Sequence, residues 1–270
     1  MLGAIIGDIV GSRFEWNNIK SKDFEFFTEE CEPTDDSIMS LAVCKALLDF
    51  NGDYFKLSED AVKYMHEIGR EYPHCGYGGR FYHWMFSDED AKPYNSFGNG
   101  SAMRVSSCGF AANSIEQAML LSNAVTRVSH DHPEGLKGAE AVAVAIYLAR
   151  TGATIPEIRE HINKYYYKLD FTLDEIRDSY GFYEICQKST PQAIEAFLES
   201  TSYEDAIRNA ISIGGDSDTI AAMAGGIAEA YYGIPADIRE KAMAYLDERL
   251  TKVLVDFENK YPPKVVDANV

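Results

Sequence analysis

The chain has 270 residues, 46% of them hydrophobic, and its 43 acidic residues outnumber its 25 basic residues to give a formal net charge of −18. A charge of that sign repels the phosphates of DNA and RNA, so nucleic-acid binding is excluded as a function class. An anionic small molecule would need a local device, such as a metal ion, a helix N-terminus or a single arginine.

Five cysteines are scattered along the chain without a C-x-x-C pair, which indicates neither a disulfide framework nor a structural zinc site. Free thiols suit the reducing cytoplasm. The short apolar run at the N-terminus lacks a basic region and is interrupted by Asp8, which argues against a signal peptide. Since no uncharged apolar segment is long enough to cross a bilayer, we expect a soluble, cytoplasmic protein with no membrane partner.

The first dozen residues carry apolar side chains at helical spacing and predict a helix. Gly3, Gly7 and Gly11 recur every four residues and share one stripe, along which a second helix can approach closely. Asp8 lies inside this helix and Glu15 follows its end. A solvated surface charge is the ordinary role of such a glutamate.

A charged stretch over 20–33 reads as a loop and leads into PTDDSIMSLAVCKALLDF, whose apolar spacing predicts a helix. Thr34, Asp35 and Asp36 stand at its entrance, where an N-cap is expected. An amphipathic helix is predicted over 58–72, whereas the segment 73–93 gives no clear prediction.

The motif SFGNGSAMR places Gly98, Asn99, Gly100 and Ser101 before a helix-like run. Exposed backbone amides backed by a helix N-terminus are suited to cradle a phosphate. Most Gly-Asn-Gly triplets simply mark turns, and the Gly-Lys-Ser/Thr ending of a Walker loop is missing here.

Further helices are predicted over 114–128 and 133–148, and His130 and His132 stand just before the second of them. A His-x-His pair can bind a metal, but no third histidine or cysteine lies at a suitable spacing. A structural or supporting role is therefore the main alternative for this pair.

Amphipathic helices are predicted over 155–167, 189–200, 203–212 and 235–258. Before the last comes SIGGDSDTIAAMAGGIAEAYYG, in which a Gly-Gly turn precedes Asp216, Asp218 and Thr219. The following run is apolar on nearly every face, so we expect its helix at the centre of the body. No strand-period alternation, repeat or long linker occurs, and residues 1–270 are predicted to form one all-α domain.

The acidic clusters at 34–36 and 216–219 have the same construction. Each alone can be a helix cap that favours the positive end of the helix dipole. Paired aspartates taken out of water need a neutralising cation, and a shared site would explain both clusters. Carboxylate and hydroxyl oxygens favour Mg²⁺ or Mn²⁺, and four aspartates are enough for two ions.

Five ordered motifs, GAIIGDIVGSRFE, PTDDSIMS, SFGNGSAMR, SHDHPEGLKGA and GGDSDTIAAMAGGIAEAYYG, make the chain resemble the ADP-ribosylglycohydrolase family over almost its whole length. The resemblance implies a compact all-α body with two Mg²⁺ or Mn²⁺ ions at the base of a cleft. The implied metal ligands are Thr34, Asp35, Asp36, Asp216, Asp218 and Thr219. Glu15 would lie close to the metals, Gly98–Ser101 would hold the diphosphate, and His130 would line or brace the cleft.

The implied reaction is hydrolysis of the bond between C1″ of ADP-ribose and an acceptor, most often an arginine side chain. Metals can grip the ribose hydroxyls, orient water and stabilise charge, while Asp35, Asp36 or Glu15 can act as the base. Ser37 and Ser217 stand where threonine is commoner in the family, and both keep a hydroxyl. No acidic residue closely precedes the glycine loop, so arginine, serine, poly(ADP-ribose) and ester linkages all stay open.

Two other function classes compete with this hypothesis. His130 and Asp131 form the dipeptide of an HD-type metal phosphohydrolase, which would need further ligands from His66, His74 or His83 and leaves the aspartate clusters unexplained. The third class is a non-catalytic relative that binds ADP-ribose or serves a structural role. Such a relative would have no physical need to keep a costly cluster of charges.

Overall fold

The computed structural model describes residues 1–87 and 91–263, and this part of the chain is built from α-helices. In chain order these begin with α1 (Leu2–Ser12), α2 (Asp35–Asp49), α3 (Tyr54–Gly69), α4 (Gly79–Phe86), α5 (Gly100–Met103), α6 (Ser106–Ala111), α7 (Ile115–Thr126) and α8 (Pro133–Arg150). They continue with α9 (Ile155–Tyr165), α10 (Leu173–Ile176), α11 (Cys186–Leu198), α12 (Tyr203–Ser212), α13 (Ser217–Tyr232), α14 (Ala236–Met243) and α15 (Glu248–Lys260). In these ranges the only β-type pairing is a bridge between Gly98 and Ile185, so the predicted all-α class is confirmed.

Helix α13 lies at the centre of the body. Every residue from Ser217 to Ala230 is buried, as expected for a helix that is apolar on nearly every face. It packs against α1, α8, α11 and α12. Its N-terminus, which carries the second acidic cluster, is therefore held from several sides.

Helices α1 and α13 touch backbone to backbone along the predicted glycine stripe. A Cβ atom at Gly11 would lie 2.5 Å from Cα of Asp218, and one at Gly7 would overlap the carbonyl group of Ala221. Neither neighbour is a side chain that can move aside, so these positions require glycine. The contact brings the carboxylate inside α1 next to the N-terminus of α13.

The start of α3 differs from the prediction because a cap was missed. Helix α3 begins at Tyr54 rather than at Ser58. The side chain of Asp53 accepts hydrogen bonds from the amides of Phe55 at 3.0 Å and Lys56 at 3.1 Å. These bonds satisfy amides that would otherwise lack a partner at the helix start.

The prediction of one continuous helix over 235–258 is wrong. Helix α14 ends at Met243 and α15 begins after Asp247. The side chain of Asp247 accepts a hydrogen bond from the amide of Leu250 over 2.8 Å. This aspartate is an N-cap, and an N-cap residue has a non-helical backbone that interrupts the helix.

Helix α4 lies in the segment 73–93, which the sequence leaves unassigned. Residues 88–90 of that segment, and 264–270 of the predicted domain, are outside the described residues. The charged stretch 20–33 contains no helix, as predicted. Among the described residues, no helix combines the length and the apolar character that crossing a membrane would require.

Candidate active site

A single cleft of about 270 Å³ collects side chains from distant parts of the chain. The N-termini of α2, α4, α5 and α13 contribute to its wall. Predicted site residues that line it are Glu15, Asp35, Asp36, Gly98, Asn99, Gly100, His130, Asp216, Asp218 and Thr219. Two predicted residues lie behind this wall: Thr34 is buried next to Asp35, and Ser101 is fully buried with its hydroxyl donating to the carbonyl of Gly98 over 2.9 Å.

The buried carboxylate of Asp8 organises the N-terminus of α2. Its Oδ2 accepts hydrogen bonds from the amides of Thr34 at 2.9 Å and Ser37 at 3.0 Å, and from the Ser37 hydroxyl. Its Oδ1 accepts from Oγ1 of Thr34 at 2.6 Å. Burial raises the pKa of Asp8 to about 6, although these hydrogen bonds act to lower it.

The first acidic motif opens α2 with its side chains around the cleft. Oγ1 of Thr34 accepts from the amide of Asp36 at 3.3 Å, and the amide of Asp35 donates to the carbonyl of Cys75 at 2.8 Å. Oδ2 of Asp36 accepts from Oγ1 of Thr219 at 3.0 Å. Oδ1 of Asp36 is buried and has no hydrogen-bond partner within the described part of the chain. A buried oxygen in that state is costly, and a cation would satisfy it.

The turn before α13 delivers the second acidic motif. Gly214 and Gly215 have φ angles of +67° and +80°, in the left-handed region that glycine adopts without strain. The chain enters the helix at Asp216, whose Oδ2 accepts from the side-chain amide of Asn99 over 2.6 Å. Asp218 follows in the first turn of α13 and is buried.

Carboxylate oxygens from both motifs meet in two groups. Asp8, Asp36 and Asp218 bring one oxygen each within 4.8 Å of one another, and Glu15, Asp216 and Asp218 form a second such group. Burial and mutual repulsion raise the pKa of Asp36 and Asp218 well above its ordinary value. Such groups bind protons unless a cation neutralises them. The donor oxygens and their charge therefore fit divalent metal ions.

Glu15 is half-buried beside this cluster. Burial, together with the charges of Asp216 and Glu184, raises the pKa of Glu15 to about 7. The side-chain amide of Asn18 donates to the carbonyls of Glu15 at 2.9 Å and Gly215 at 2.8 Å, and its Oδ1 accepts from the Gly215 amide at 2.8 Å. Asn18 thus links the loop that carries Glu15 to the turn that leads into α13.

The loop at 98–101 lines the cleft, but the prediction that its amides are exposed is wrong for three of them. The amide of Gly98 donates to Oγ of Ser96 at 3.2 Å, that of Asn99 to the carbonyl of Glu184 at 3.0 Å, and that of Ser101 to the carbonyl of Gly98 at 3.3 Å. These donors are already occupied. The loop instead contributes the Asn99 side chain, which holds an aspartate of the second motif.

His130 forms part of the cleft wall. Burial, together with the charges of Arg104 and Arg80, lowers its pKa well below the ordinary value and keeps the imidazole neutral. Oγ of Ser129 accepts from Arg104 at 2.7 Å and lies 2.9 Å from Nδ1 of His130. Nε2 of His130 faces the glycine loop, because a Cβ atom at Gly100 would lie 3.5 Å from it.

The rest of the histidine motif does not join the cleft. Nδ1 of His132 accepts from the amide of Glu134 at 3.1 Å and caps α8. Oδ1 of Asp131 accepts from the amide of Asn95 at 2.7 Å. Both groups of described residues that could hold a metal consist of carboxylates alone, so the HD-type hypothesis finds no histidine-based centre.

The sequence did not predict three features of the cleft. They are the hydrogen bonds to Asp8, the carboxylate of Glu184 and the N-terminus of α4. Helix α4 begins without a side-chain cap, and Gly78, Gly79 and Arg80 line the cleft. The pair of glycines directly before Arg80 could have indicated a helix start that binds an anion. No sequence signal marks Glu184.

The fold and the cleft define an all-α enzyme with a polycarboxylate site. The family model for ADP-ribosylglycohydrolase matches residues 1–263. The chain is 27% identical to ADP-ribosylhydrolase ARH3 of Xenopus tropicalis, covering 92% of this chain and 91% of that protein. It is 26% identical to ADP-ribosylhydrolase ARH3 of Homo sapiens, over 87% and 84% of the two chains.

A solved structure described as an ADP-ribosylglycohydrolase-related protein complex has the same fold. Its TM-score is 0.67 at 20% sequence identity, over 96% of this chain and 95% of that one. The chain belongs to the ADP-ribosylglycohydrolase family and is a hydrolase.

Proposed function

We propose that this hydrolase removes ADP-ribose from modified acceptors by cleaving the bond at C1″, and that it depends on divalent metal ions. The observation that carries the proposal is the meeting of Asp36, Asp216 and Asp218, from two distant motifs, in one cleft. The relatives support the same reaction class, since they are named ADP-ribosylhydrolases.

Two ions, Mg²⁺ or Mn²⁺, are proposed for the cleft. Their ligands would be Thr34, Asp35, Asp36, Asp216, Asp218 and Thr219. Two carboxylate groups that share Asp218 support a pair of ions, and the unpartnered Oδ1 of Asp36 supports a cation at that atom. When bound, the ions would supply Lewis acidity and offset the negative charge of the site.

Three carboxylates of the chain are proposed to handle protons: Asp35, Asp36 and Glu15. Glu15 is suited to accept a proton from water near neutral pH, because its pKa is raised to about 7. Asp35 is half-buried and lines the cleft. Asp36 is held by the hydroxyl of Thr219, which fixes its orientation.

The diphosphate of the substrate is proposed to lie between the N-terminus of α4 and the wall formed by His130 and the loop at 98–101. The uncapped start of α4 and the side chain of Arg80 offer donors and positive charge there. These groups would offset the repulsion between an anionic substrate and a chain of net charge −18.

Protein arginine is the acceptor that we rank first. Glu15 and Glu184 both line the cleft, and their carboxylates can pair with a departing guanidinium. Serine, poly(ADP-ribose) and O-acyl-ADP-ribose linkages are the alternatives, because the name of the relatives states no acceptor. A non-catalytic ADP-ribose-binding protein is the remaining alternative.

Five free cysteines support a reducing, cytoplasmic location.

Incubation with a panel of defined ADP-ribose conjugates, with Mg²⁺ or with chelator, tests the proposal. Release of ADP-ribose is expected with Mg²⁺, and its loss is expected with chelator and in Asp216→Asn. Calorimetry that detects tight ADP-ribose binding, with no turnover of any conjugate, would contradict the catalytic proposal and favour the binding protein. Metal-dependent phosphate release that is lost in His130→Ala but kept in Asp216→Asn would favour a phosphohydrolase.

A further inference from the structure

We propose that Arg104 is a positioning residue for the histidine of the cleft: through the hydroxyl of Ser129, it holds the ring of His130 in the tautomer that carries its proton on Nε2. His130 then acts as a hydrogen-bond donor in the cleft and not as a base. The inference rests on the proposed function only in taking a phosphoryl oxygen as the ligand atom. The three residues are called the hydrogen-bond chain below.

Arg104 is a fully buried arginine that directly follows α5. Its Nη2 donates to Oγ of Ser129 over 2.7 Å, whereas its Nε and Nη1 have no hydrogen-bond partner in the described ranges. Burial lowers the pKa of Arg104 to about 10, so the side chain is still positively charged at neutral pH. A buried cation with so few partners is costly to the fold. Its contact with Ser129 therefore calls for a functional explanation.

The guanidinium fixes the direction of both bonds in the hydrogen-bond chain, because it can only donate. Oγ of Ser129 accepts from Arg104 and has its own proton left to donate. Nδ1 of His130 lies 2.9 Å from this oxygen and is the acceptor that the described residues offer to the hydroxyl. Ser129 is fully buried, so the opposite arrangement would leave a buried hydroxyl proton without a partner.

The tautomer of His130 follows from this direction. Burial, together with the charges of Arg104 and Arg80, lowers the pKa of His130 well below its ordinary value, so the ring holds a single proton. A neutral imidazole has one donor nitrogen and one acceptor nitrogen. Since Nδ1 accepts from Ser129, the proton lies on Nε2. Neither nitrogen is then free to take a proton from water, which leaves that task to the carboxylates.

Nε2 of His130 faces the cleft where two glycines leave room. A Cβ atom at Gly98 or at Gly100 would lie 3.5 Å from Nε2, so a side chain at either position would stand against the nitrogen. The rings of Phe81 and Tyr94 lie 6.1 Å and 5.8 Å from the imidazole, centroid to centroid, and limit its rotation. The N–H group therefore has a fixed direction, in which a phosphoryl oxygen is a suitable acceptor.

The choice of tautomer decides how His130 meets such an oxygen. A proton on Nε2 forms a hydrogen bond to the oxygen, whereas a proton on Nδ1 would turn a lone pair of Nε2 toward a negatively charged atom. Without the contacts of Ser129 and Arg104, the ring would exchange between the two forms, and only one of them binds. Loss of the hydrogen-bond chain should therefore weaken the binding of ADP-ribose.

Nuclear magnetic resonance of the metal-free protein tests the tautomer directly. Isotope-labelled histidine gives distinct signals for protonated and unprotonated ring nitrogens, and His130→Gln identifies the signals of His130. We expect the wild type to carry the proton on Nε2, and Ser129→Ala and Arg104→Met to shift both signals toward those of a mixed tautomer. Ser122→Ala is the matched control, because Ser122 is also fully buried and its hydroxyl donates to the carbonyl of Met119 in its own helix.

Two results of this experiment would overturn the inference. The first is a proton on Nδ1 in the wild type. The second is a set of His130 signals that stays the same in Ser129→Ala as in Ser122→Ala. Ser129→Ala decides the question by itself if Arg104→Met does not fold, since this variant removes the same contact to Nδ1 with a smaller change in volume.

Calorimetry with ADP-ribose and Mg²⁺ separates positioning from direct contact. Arg104→Met should weaken binding about three- to tenfold, which corresponds to one hydrogen bond made less often. In the background of His130→Ala the same change should have little further effect, because both residues act through one contact. An undiminished effect in that background would overturn the positioning role. A confirmed tautomer and coupling, without release of ADP-ribose from any conjugate, would overturn the proposed function alone.

Discussion

Oγ1 of Thr34 donates its one proton to Oδ1 of Asp8 over 2.6 Å, deep between α1 and α2. The hydroxyl oxygen keeps lone pairs for the amide of Asp36 and for a further ligand. The carboxylate of Asp8 thereby sets the orientation of the first acidic motif from behind. Asp8, which is not among the predicted metal ligands, therefore fixes the position of Thr34, which is.

Asp8→Asn is expected to lower both thermal stability and Mg²⁺ affinity. The asparagine keeps the size of the side chain, but its NH₂ group faces the donors of Thr34 or Ser37, and each buried donor left unpaired costs about 1–3 kcal/mol. Tm by calorimetry and Mg²⁺ binding by titration check this prediction. Asp170→Asn, at an exposed site, is the control. An Asp8→Asn protein with unchanged Mg²⁺ affinity would contradict the role of Asp8.

Asp218→Asn is expected to abolish activity and to stabilise the metal-free protein. Asp218 belongs to both carboxylate groups, so its loss weakens both proposed ion sites and should reduce kcat by about a hundredfold or more. Removing one of several crowded negative charges should raise Tm in chelator. Asp174→Asn, at an exposed site on α10, should change neither quantity. Full activity in Asp218→Asn would refute the shared role.

The metal-free protein is expected to lose stability as pH rises. Burial raises the pKa of Asp8 to about 6 and, together with neighbouring charges, raises the pKa of Asp36 and of Asp218 well above the ordinary value, while an unfolded aspartate has a pKa of about 3.9. Between these values the folded state holds protons that the unfolded chain has released, so the free energy of unfolding falls as pH rises.

The measurement is Tm in chelator at about pH 5 and about pH 8, which lie on either side of the folded-state pKa of Asp8 at about 6. Tm should be higher at the lower pH, and Mg²⁺ should reduce or reverse the difference because the ion replaces the protons. Asp36→Asn should show a smaller dependence than the wild type. Identical Tm values at both pH values in chelator would show that the carboxylates are not strained by burial.

Asn18→Ala is expected to reduce kcat more than it reduces Mg²⁺ affinity. The substitution removes the contacts between the Glu15 loop and the turn at Gly215, so Glu15 loses its fixed position. Asn18→Asp keeps only the acceptor for the Gly215 amide and should recover part of the activity. The exposed neighbour Asn17 supplies the control, Asn17→Ala. Equal kcat in both alanine variants would leave Asn18 without a positioning role.

Gly7→Ala is expected to destabilise the protein strongly. In a solvent-exposed helix this change is favourable by about 0.5–1 kcal/mol, but here the added methyl overlaps the carbonyl of Ala221. Gly79→Ala is the matched control, since a Cβ atom there has no neighbour within 4 Å. Tm should fall for the first variant and stay constant or rise slightly for the second. A Gly7→Ala protein as stable as the wild type would contradict the close contact of α1 with α13.

Much of the fold could be predicted because its signals are local. Each of these patterns predicts the packing or the capping of the helix that carries it. They are the glycine stripe on α1, the small apolar residues of α13 and the aspartates at helix starts. Helix ends were missed where a cap such as Asp53 or Asp247 was not weighed against apolar spacing. Segment 73–93 gave no prediction, since α4 begins at Gly79 without a side-chain cap.

The site could be predicted only where two separate motifs have the same construction. Two Asp-rich helix starts indicated a shared cation site, and the structure brings them into one cleft. Asp8 and Glu184 belong to no such motif. Their roles depend on contacts with backbone groups that are distant in sequence. The occupied amides at 98–101 likewise depend on the carbonyl of Glu184, which lies far away in sequence.

The pairing of α1 with α13 has a consequence for biosynthesis. The amide of Gly3 donates to the carboxylate of Glu229, a partner 226 residues later in the chain. At ribosomal rates of about 5–20 residues per second, α1 waits roughly 10–45 seconds before its partner emerges. During that interval the face of α1 that packs on α13 has no cover, so we expect the nascent chain to bind chaperones that hold exposed apolar segments.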